Sequence, residues 1–145
     1  MLKKILIALL ISVPLIFFGV IYYVTNIVFD DENLCGEEIL YESYSPENDF
    51  KVLIQERNCG ATTDFSTSVS VQVPNSDSKT DVFLADDDHG AAPHGRGRSA
   101  RVEIEWLSKD SLAIYHHPNA RIYLSETKWN DLKIIHLGRV YYKSH

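Results

Sequence analysis

The stretch Phe50-Lys51-Val52-Leu53-Ile54-Gln55, residues 50–55, decides the fold class that this sequence predicts. Phe50, Val52 and Ile54 stand at alternate positions, so in an extended chain their side chains would share one face. A period of two is typical of a half-buried strand in an antiparallel sheet. The turn-forming run Ser45-Pro46-Glu47-Asn48-Asp49 comes directly before it. The stretch therefore predicts a strand that follows a turn.

Further stretches alternate in the same way, at residues 68–73 and 101–106. Weaker patterns predict strands elsewhere, at residues 38–44, 81–85, 112–116, 121–125 and 132–137. The spacer from Ser108 to Ser111 is short enough for a hairpin between two of these strands. Trp129 and Leu132 could share one face of a short helical turn.

Together these patterns predict an all-β domain, an antiparallel meander or sandwich-like sheet of about seven or eight strands. No stretch after residue 30 has the sustained period of a helix. We further predict that one N-terminal transmembrane helix precedes this domain and that the domain lies outside the cytoplasm.

The amino-terminal stretch carries the prediction of that helix. Ile5 to Phe29 contains no charged residue, and a helix of this length would be roughly 37 Å long. About 20 apolar residues are enough to cross a bilayer. Lys3 and Lys4 precede the stretch and would stay on the cytoplasmic side. We therefore expect a single-pass signal-anchor in the inner (cytoplasmic) membrane, with the amino terminus inside and the rest of the chain outside.

The expected organisation is a transmembrane anchor at residues 1–29, a short tether at 30–36 and a β-sheet domain at 37–145. Three alternatives remain open for the amino terminus: a cleaved signal peptide, a lipoprotein signal that ends at Cys35, and a buried globular helix. The long apolar run, and the lack of small residues at a cleavage position or before Cys35, favour the uncleaved anchor.

Charge excludes one class of partner. The residues after position 29 carry 20 acidic and 12 basic side chains, a net charge of −8. Nucleic-acid binding needs a basic face for the phosphates, so nucleic acid is not an expected partner. The expected partners are the membrane and a protein or small ligand.

Cys35 and Cys59 are the two cysteines of the chain. In an oxidising compartment we expect them to form a disulfide, with two unlinked thiols as the alternative. Zinc sites favour close cysteine pairs, which this spacing does not provide. Nothing in the sequence near Cys59 marks an activating base, and Ser66 lacks the glycine-flanked turn of a nucleophilic serine. The sequence therefore predicts no catalytic residue.

The run from Asp86 to Ala100 is the most unusual part of the chain, because it has neither a strand nor a helix pattern. Such loops inside a compact domain are usually functional or disordered. Its first half is rich in carboxylate and imidazole groups, which bind divalent cations. The candidate metal ligands are Asp86, Asp88, His89 and His94. An EF-hand is excluded, because its required glycine and acidic positions would hold Ala91 and Gly97.

The second half of the same loop suggests a site for an anion. Arg96 and Arg98 flank one glycine, and His116 could reach in from a predicted strand. These three residues are the candidate ligand-binding residues. The structural alternative for the whole loop is that its acidic and basic side chains pair with each other or are solvated.

Several stretches resemble a family of small, uncharacterised bacterial envelope proteins. The specific ones are Cys59-Gly60-Ala61-Thr62-Thr63 and Ala85-Asp86-Asp87-Asp88-His89-Gly90. Supporting stretches are Ser45-Pro46, Trp106-Leu107 and His117-Pro118-Asn119-Ala120-Arg121. The resemblance covers about residues 35–124. It implies bacterial origin and an anchored or exported domain, and it carries over no activity and no catalytic residue.

Two functions from different classes remain open. The favoured one is a non-enzymatic binding module of the bacterial envelope, for example an immunity-type protein that blocks a toxin. It is favoured because the strand patterns are complete and no catalytic constellation is assembled. The alternative is a metal-dependent hydrolase that would use the loop from Asp86 to His94 and a divalent cation. No other cofactor is expected.

Overall fold

The computed structural model describes residues 1–23, 35–60 and 63–141. The chain comprises two compact units, Met1–Cys35 and Gly36–His145. The described residues form one helix and nine strands: α1 (Leu2–Tyr23), β1 (Gly36–Tyr44), β2 (Lys51–Asn58), β3 (Ser66–Gln72), β4 (Thr80–Asp86), β5 (Val102–Ser108), β6 (Ser111–His116), β7 (Arg121–Ser125), β8 (Lys128–Trp129) and β9 (Leu132–Gly138).

The prediction of a transmembrane helix is wrong. It took the uncharged stretch as one helix up to Phe29. The described helix α1, Leu2–Tyr23, has Pro14 in its interior, where proline removes a backbone hydrogen bond. Among the described residues, no helix combines the length and the apolar character that a membrane crossing requires. The remainder of the predicted span and most of the predicted tether, residues 24–34, lie outside the described part of the chain.

The second unit contains two β-sheets. Sheet 1 has the order β1-β2-β3-β4-β7, and all of its neighbouring strands are antiparallel. Sheet 2 has the order β5-β6-β9-β8, and its central pair, β6 and β9, is parallel. The chain leaves sheet 2 after β6, adds β7 to sheet 1 and returns for β8 and β9. The all-β character is confirmed.

The fold-class prediction is nevertheless wrong in strand number and pairing. Nine strands are present in the described residues instead of about seven or eight, because Lys128–Trp129 is too short for an alternating pattern to reveal. Trp129 and Leu132 face each other in the β8–β9 hairpin and do not form a helical turn. Asn130, with φ 51°, occupies the left-handed region in the connection, as asparagine often does in tight turns. The predicted hairpin at Ser108–Ser111 is confirmed.

One hydrophobic core lies between the two sheets. Phe83 of sheet 1 is fully buried, and its ring stacks on two histidines of sheet 2, with centroid distances of 5.4 Å to His116 and 5.6 Å to His136. The other central core residues alternate along their strands: Val52, Ile54, Val69 and Val71 in sheet 1, and Leu112, Ile114, Leu132 and Ile134 in sheet 2. This alternation is the one that the sequence patterns predict.

The predicted disulfide between Cys35 and Cys59 is confirmed. Its position follows from the register of the first hairpin, in which Gly36 of β1 lies opposite Asn58 of β2. In an antiparallel pair the residue before Gly36 and the residue after Asn58 are again opposite each other. These two residues are Cys35 and Cys59. The bond therefore closes the open end of the hairpin.

Removing this disulfide is expected to destabilise the protein. The bond closes a loop of about 25 residues, for which the chain-entropy model gives about 3.5 kcal/mol. We expect the full-length C35S/C59S variant to lose a comparable free energy of unfolding, measured by urea denaturation. Dithiothreitol should destabilise the wild type to the same extent and leave the variant unchanged. A wild type that is indifferent to the reductant would contradict the prediction.

Candidate functional site

A cleft opens along one side of the sandwich, where two unpaired strand edges face each other. β1 is an edge strand of sheet 1 and β5 is an edge strand of sheet 2. The cleft between them has a volume of about 530 Å³, within the range of small-molecule pockets. Its apolar lining consists of Leu40, Ile54, Val102 and Ile104, with the Tyr41 ring beside them.

The cleft is short because it is bounded at both ends. At one end the indole Nε1 of Trp106 in β5 donates a hydrogen bond of 3.1 Å to the hydroxyl of Ser43 in β1. At the other end the loop that precedes β5 contributes Gly95, Arg96, Ser99 and Ala100 to the lining. Between these two ends, β1 contributes residues 40–41 and β5 contributes residues 102–104 to the lining.

The buried carboxylate of Glu56 in β2 holds that loop in place. Glu56 is 8% exposed, and its Oε2 accepts hydrogen bonds from the backbone N–H of Arg98 at 2.5 Å and of Ser99 at 3.1 Å, and from the Ser99 hydroxyl at 3.2 Å. A buried carboxylate is stable only with such donors. The neighbouring Thr67 hydroxyl donates to the Ala100 carbonyl at 2.7 Å. Glu56 therefore sets the position of one end of the cleft.

Gly97 allows this close approach. A Cβ atom added there would collide with the Glu56 carboxylate, which lies directly against the Gly97 backbone. Glycine is the residue that allows such an approach of the backbone to another group. The flanking residues Arg96 and Arg98 thereby direct their side chains away from the carboxylate and toward two different aromatic rings.

The two arginines at the cleft differ in their partners. Arg101 donates from Nε and Nη2 to Oε1 of Glu103, at 2.9 and 2.6 Å, so its charge is paired. The Arg96 guanidinium lies 5.2 Å from the centre of the Tyr41 ring and makes a long hydrogen bond of 3.4 Å to the Leu40 carbonyl. Within residues 35–60 and 63–141, Arg96 takes part in no ion pair. The cleft thus presents a mixed wall with an apolar patch, and beside it the exposed guanidinium of Arg96, which no carboxylate of the described residues neutralises.

The three predicted ligand-binding residues lie in different places. Arg96 lines the cleft. Arg98, two residues further on, stacks its guanidinium 5.3 Å from the centre of the Phe65 ring. His116 is 9% exposed and stacks on Phe83 in the core. The structure therefore brings only Arg96 to the cleft, and ligand binding by these residues stays a prediction.

Asp86, the first predicted metal ligand, is bound by protein groups. It is 3% exposed, and its carboxylate accepts hydrogen bonds from the Arg121 guanidinium, from the Tyr123 hydroxyl at 2.6 Å and from the Asp88 N–H at 2.9 Å. Burial acts to raise the pKa of Asp86, but these hydrogen bonds outweigh burial and the pKa is lowered. The hydrogen bond to Asp86 also raises the pKa of Arg121. The Asp88 carboxylate lies 3.6 Å from the same guanidinium.

The two predicted histidine ligands have separate partners. His89 Nδ1 lies 2.9 Å from the Asp64 carboxylate, and His94 Nε2 lies 2.7 Å from the Asp87 carboxylate. In the part of the chain that the structure describes, no three His, Cys, Asp or Glu side chains are grouped to hold a metal ion. Metal binding at the four candidate ligands stays a prediction. Most of the described contacts tie the loop to residues outside it, and the pair of Asp87 and His94 lies within it.

The backbone of the same loop is strained where it reverses direction after β4. Asp88, His89 and Gly90 have successive φ angles of 47°, 57° and 88°, a left-handed conformation that is unfavourable for residues other than glycine. The carbonyls of Asp87 and Asp88 accept hydrogen bonds from the N–H groups of Ala92 at 2.9 Å and Ala91 at 3.2 Å. These bonds and the Asp86 contacts hold the turn together.

Sequence reasoning missed two of the residues that build this region. Glu56 stands two residues after Ile54, so it lies on the same face of the strand as Val52 and Ile54. A carboxylate on this apolar face was a signal in the sequence that could have identified Glu56 as a buried residue. Arg121 lies opposite Asp86 in the β4–β7 pair. No local signal could have identified that partnership, because it depends on which strand is the neighbour of β4.

Gly97→Ala is expected to disturb the loop and lower stability. The new methyl group would displace the Glu56 carboxylate from buried N–H donors, which costs about 1–3 kcal/mol of unfolding free energy. Chemical denaturation of the full chain measures this loss. Gly36→Ala is the matched control, because the nearest atom to its added Cβ would be 3.9 Å away. A similar loss in both variants would count against the role given to Glu56.

Asp86→Asn is expected to lower stability at neutral pH by about 2 kcal/mol, because it removes the negative charge beside Arg121 and replaces one of the two acceptor oxygens with an N–H donor. Since the pKa of Asp86 is lowered on folding, its contribution is present above the pKa of the unfolded carboxyl, about 3.9. That contribution is lost as the pH falls toward the folded value. The stability of the wild type should therefore fall more steeply below pH ~4 than that of the variant.

Asp88→Asn serves as the control for this measurement. Asp88 contacts the same guanidinium, but its side chain is 46% exposed. Screening by solvent should keep its effect below about 1 kcal/mol. Denaturation curves recorded between pH 3 and pH 7 compare the three proteins, and parallel pH profiles for wild type and Asp86→Asn would refute the expected linkage.

The comparisons with known proteins show a family and no function. Comparison with curated proteins and with solved structures finds no match. The model of a family of unknown function (DUF5412) matches residues 2–127, a range that includes α1 and the strands from β1 to β7. This match is consistent with the predicted resemblance to an uncharacterised family, whereas the motifs and the envelope location that were part of that resemblance stay predictions. Because the match spans most of the sequence, this chain belongs to that family, DUF5412.

Proposed function

We propose that this protein is a non-enzymatic binding module and that its ligand occupies the cleft between β1 and β5. The observation that supports this function is a cleft with a mixed lining, in which an apolar patch of Leu40, Val102 and Ile104 lies beside an arginine, Arg96, that no described carboxylate neutralises. Concave apolar sites with a few directed polar groups are the usual form of ligand pockets.

The other polar groups are engaged in hydrogen bonds within the protein, which favours a binding function over catalysis. The Thr67 hydroxyl, which lines the cleft, donates to the Ala100 carbonyl at 2.7 Å, and the neighbouring Ser99 hydroxyl donates to the Glu56 carboxylate at 3.2 Å. The Asp86 carboxylate, which the hydrolase alternative needs as a metal ligand, is satisfied by Arg121 and Tyr123. A cation would have to displace a buried charge-assisted hydrogen bond at that position. The hydrolase alternative therefore has less support than binding.

The disulfide supports a compartment outside the cytoplasm. Cytosolic thiols are kept reduced, whereas disulfides persist in secreted and periplasmic proteins. The pair of Cys35 and Cys59 is bonded, so we propose that the protein works in an oxidising compartment of the cell envelope. A ligand at the cleft would then be an envelope or extracellular molecule.

Site-specific photo-crosslinking tests the proposed binding site. Tyr41→p-benzoylphenylalanine in the full chain places a photoreactive group at the cleft, at a residue that is 41% exposed. Irradiation of cells that express this variant should give a specific product, detected as a shift in intact mass for a small ligand or on a gel for a protein.

Ile122→p-benzoylphenylalanine is the control. Ile122 is 42% exposed and lies in β7, the other edge strand of sheet 1, so it matches Tyr41 in exposure and strand position. The proposal requires a product from position 41 that position 122 does not give. Equal products from the two positions, or none from position 41 in a folded protein, would refute it.

A further inference from the structure

We propose that the ligand of this cleft is a small amphipathic anion, with an apolar body against Ile54 and Ile104 and a negatively charged group at Arg96. This inference rests on the proposed binding function and specifies the class of ligand. It is carried by three observations: the dimensions of the cleft, the nature of its walls and the state of its charges.

The dimensions favour a small molecule over an extended peptide. A peptide added along β1 would need the strand edge to be open over several residues. The hydrogen bond between Ser43 and Trp106 joins the two edges beyond the cleft at one end, and the loop that Glu56 holds bounds the other end. The volume of about 530 Å³ suits one compact ligand.

The walls select a ligand with an apolar body. Ile54 is 6% exposed and forms part of the core, and Val102 and Ile104 pack against that core. Burying an apolar group on these side chains is favourable in proportion to the area removed from water. A fully polar solute would gain nothing from this part of the cleft.

The charges select an anion. The carboxylate of Glu103 already neutralises the charge of Arg101. Arg101 is therefore not expected to bind an anionic ligand. Among the described residues, the partners of Arg96 are the Tyr41 ring and, through one long hydrogen bond, the Leu40 carbonyl. Its planar guanidinium can donate two parallel hydrogen bonds to a carboxylate or phosphate. An incoming anion could take this place without breaking any ion pair among the described residues of the cleft.

A titration of the full chain with four probes of equal chain length tests the proposal: octanoate, octyl phosphate, octanol and octyltrimethylammonium. Binding is followed by the shifts of the backbone amide signals of Gly95 and Ile104, which line the cleft, so that binding elsewhere on the chain is not counted. We expect one or both anions to bind more tightly than octanol, and the cation to bind least. The stronger anion identifies the ligand as a carboxylate or as a phosphate.

Arg96→Gln and Arg98→Gln form the matched pair of variants. Arg98 is also exposed and also stacks on an aromatic ring, but it does not line the cleft. Losing a charge-assisted hydrogen bond should raise the dissociation constant for the preferred anion about tenfold in Arg96→Gln and remove its advantage over octanol. Arg98→Gln should bind as the wild type does.

Several results would overturn the proposal. Octanol could bind as tightly as either anion, the cation could bind best, or both variants could lose affinity equally. If crosslinking at position 41 gives a product while none of the probes shifts the cleft signals, the binding function stands and the ligand class proposed here is wrong. Melting curves of both variants confirm that any loss of binding does not come from unfolding.

Discussion

The buried carboxylate of Glu56 accepts hydrogen bonds from the loop before β5. These bonds connect β2 in sheet 1 to the loop at one end of the cleft, and the proposed function depends on that connection. Glu56 stands on the core-facing side of β2, in line with Val52 and Ile54, so its charge is removed from water when the sheets pack. Two backbone N–H groups and one hydroxyl compensate for that desolvation. The same contacts set where the loop ends and β5 begins, and therefore how far apart the edges of β1 and β5 remain.

Much of the sheet structure could be predicted from the sequence, because half-buried strands have a local signature. Val52 and Ile54, and likewise Val69 and Val71, alternate with residues of the other face, and each predicted strand has a counterpart in the structure. The features that could not be predicted from the sequence depend on contacts between distant parts of the chain. The parallel pairing of β6 with β9 depends on the passage of β7 to the other sheet, and no pattern within a strand encodes its neighbour. The transmembrane helix was predicted from the length of an uncharged stretch and from its flanking lysines, and that prediction was wrong.

The candidate site was less predictable than the fold for the same reason. The loop from Asp86 was recognised as unusual, and its carboxylates and histidines suggested a metal. The identity of their partners decides between a metal site and a structural loop, and Arg121, Tyr123 and Asp64 come from distant parts of the sequence. Arg96 was recognised as a candidate for binding an anion. What the sequence could not reveal is that Arg96 borders a cleft, whereas Arg98 stacks on Phe65 outside its lining.

The position of β7 in sheet 1 affects how the domain folds and unfolds. Since β7 pairs with β4 of sheet 1 while the strands before and after it in sequence belong to sheet 2, neither layer is built from a continuous segment. An intermediate with one finished layer and the other unformed would have to leave β7 unpaired or separate it from its own flanking strands. Acquisition of the native state should thus be strongly cooperative and comparatively slow, as is typical of topologies dominated by contacts between sequence-distant residues.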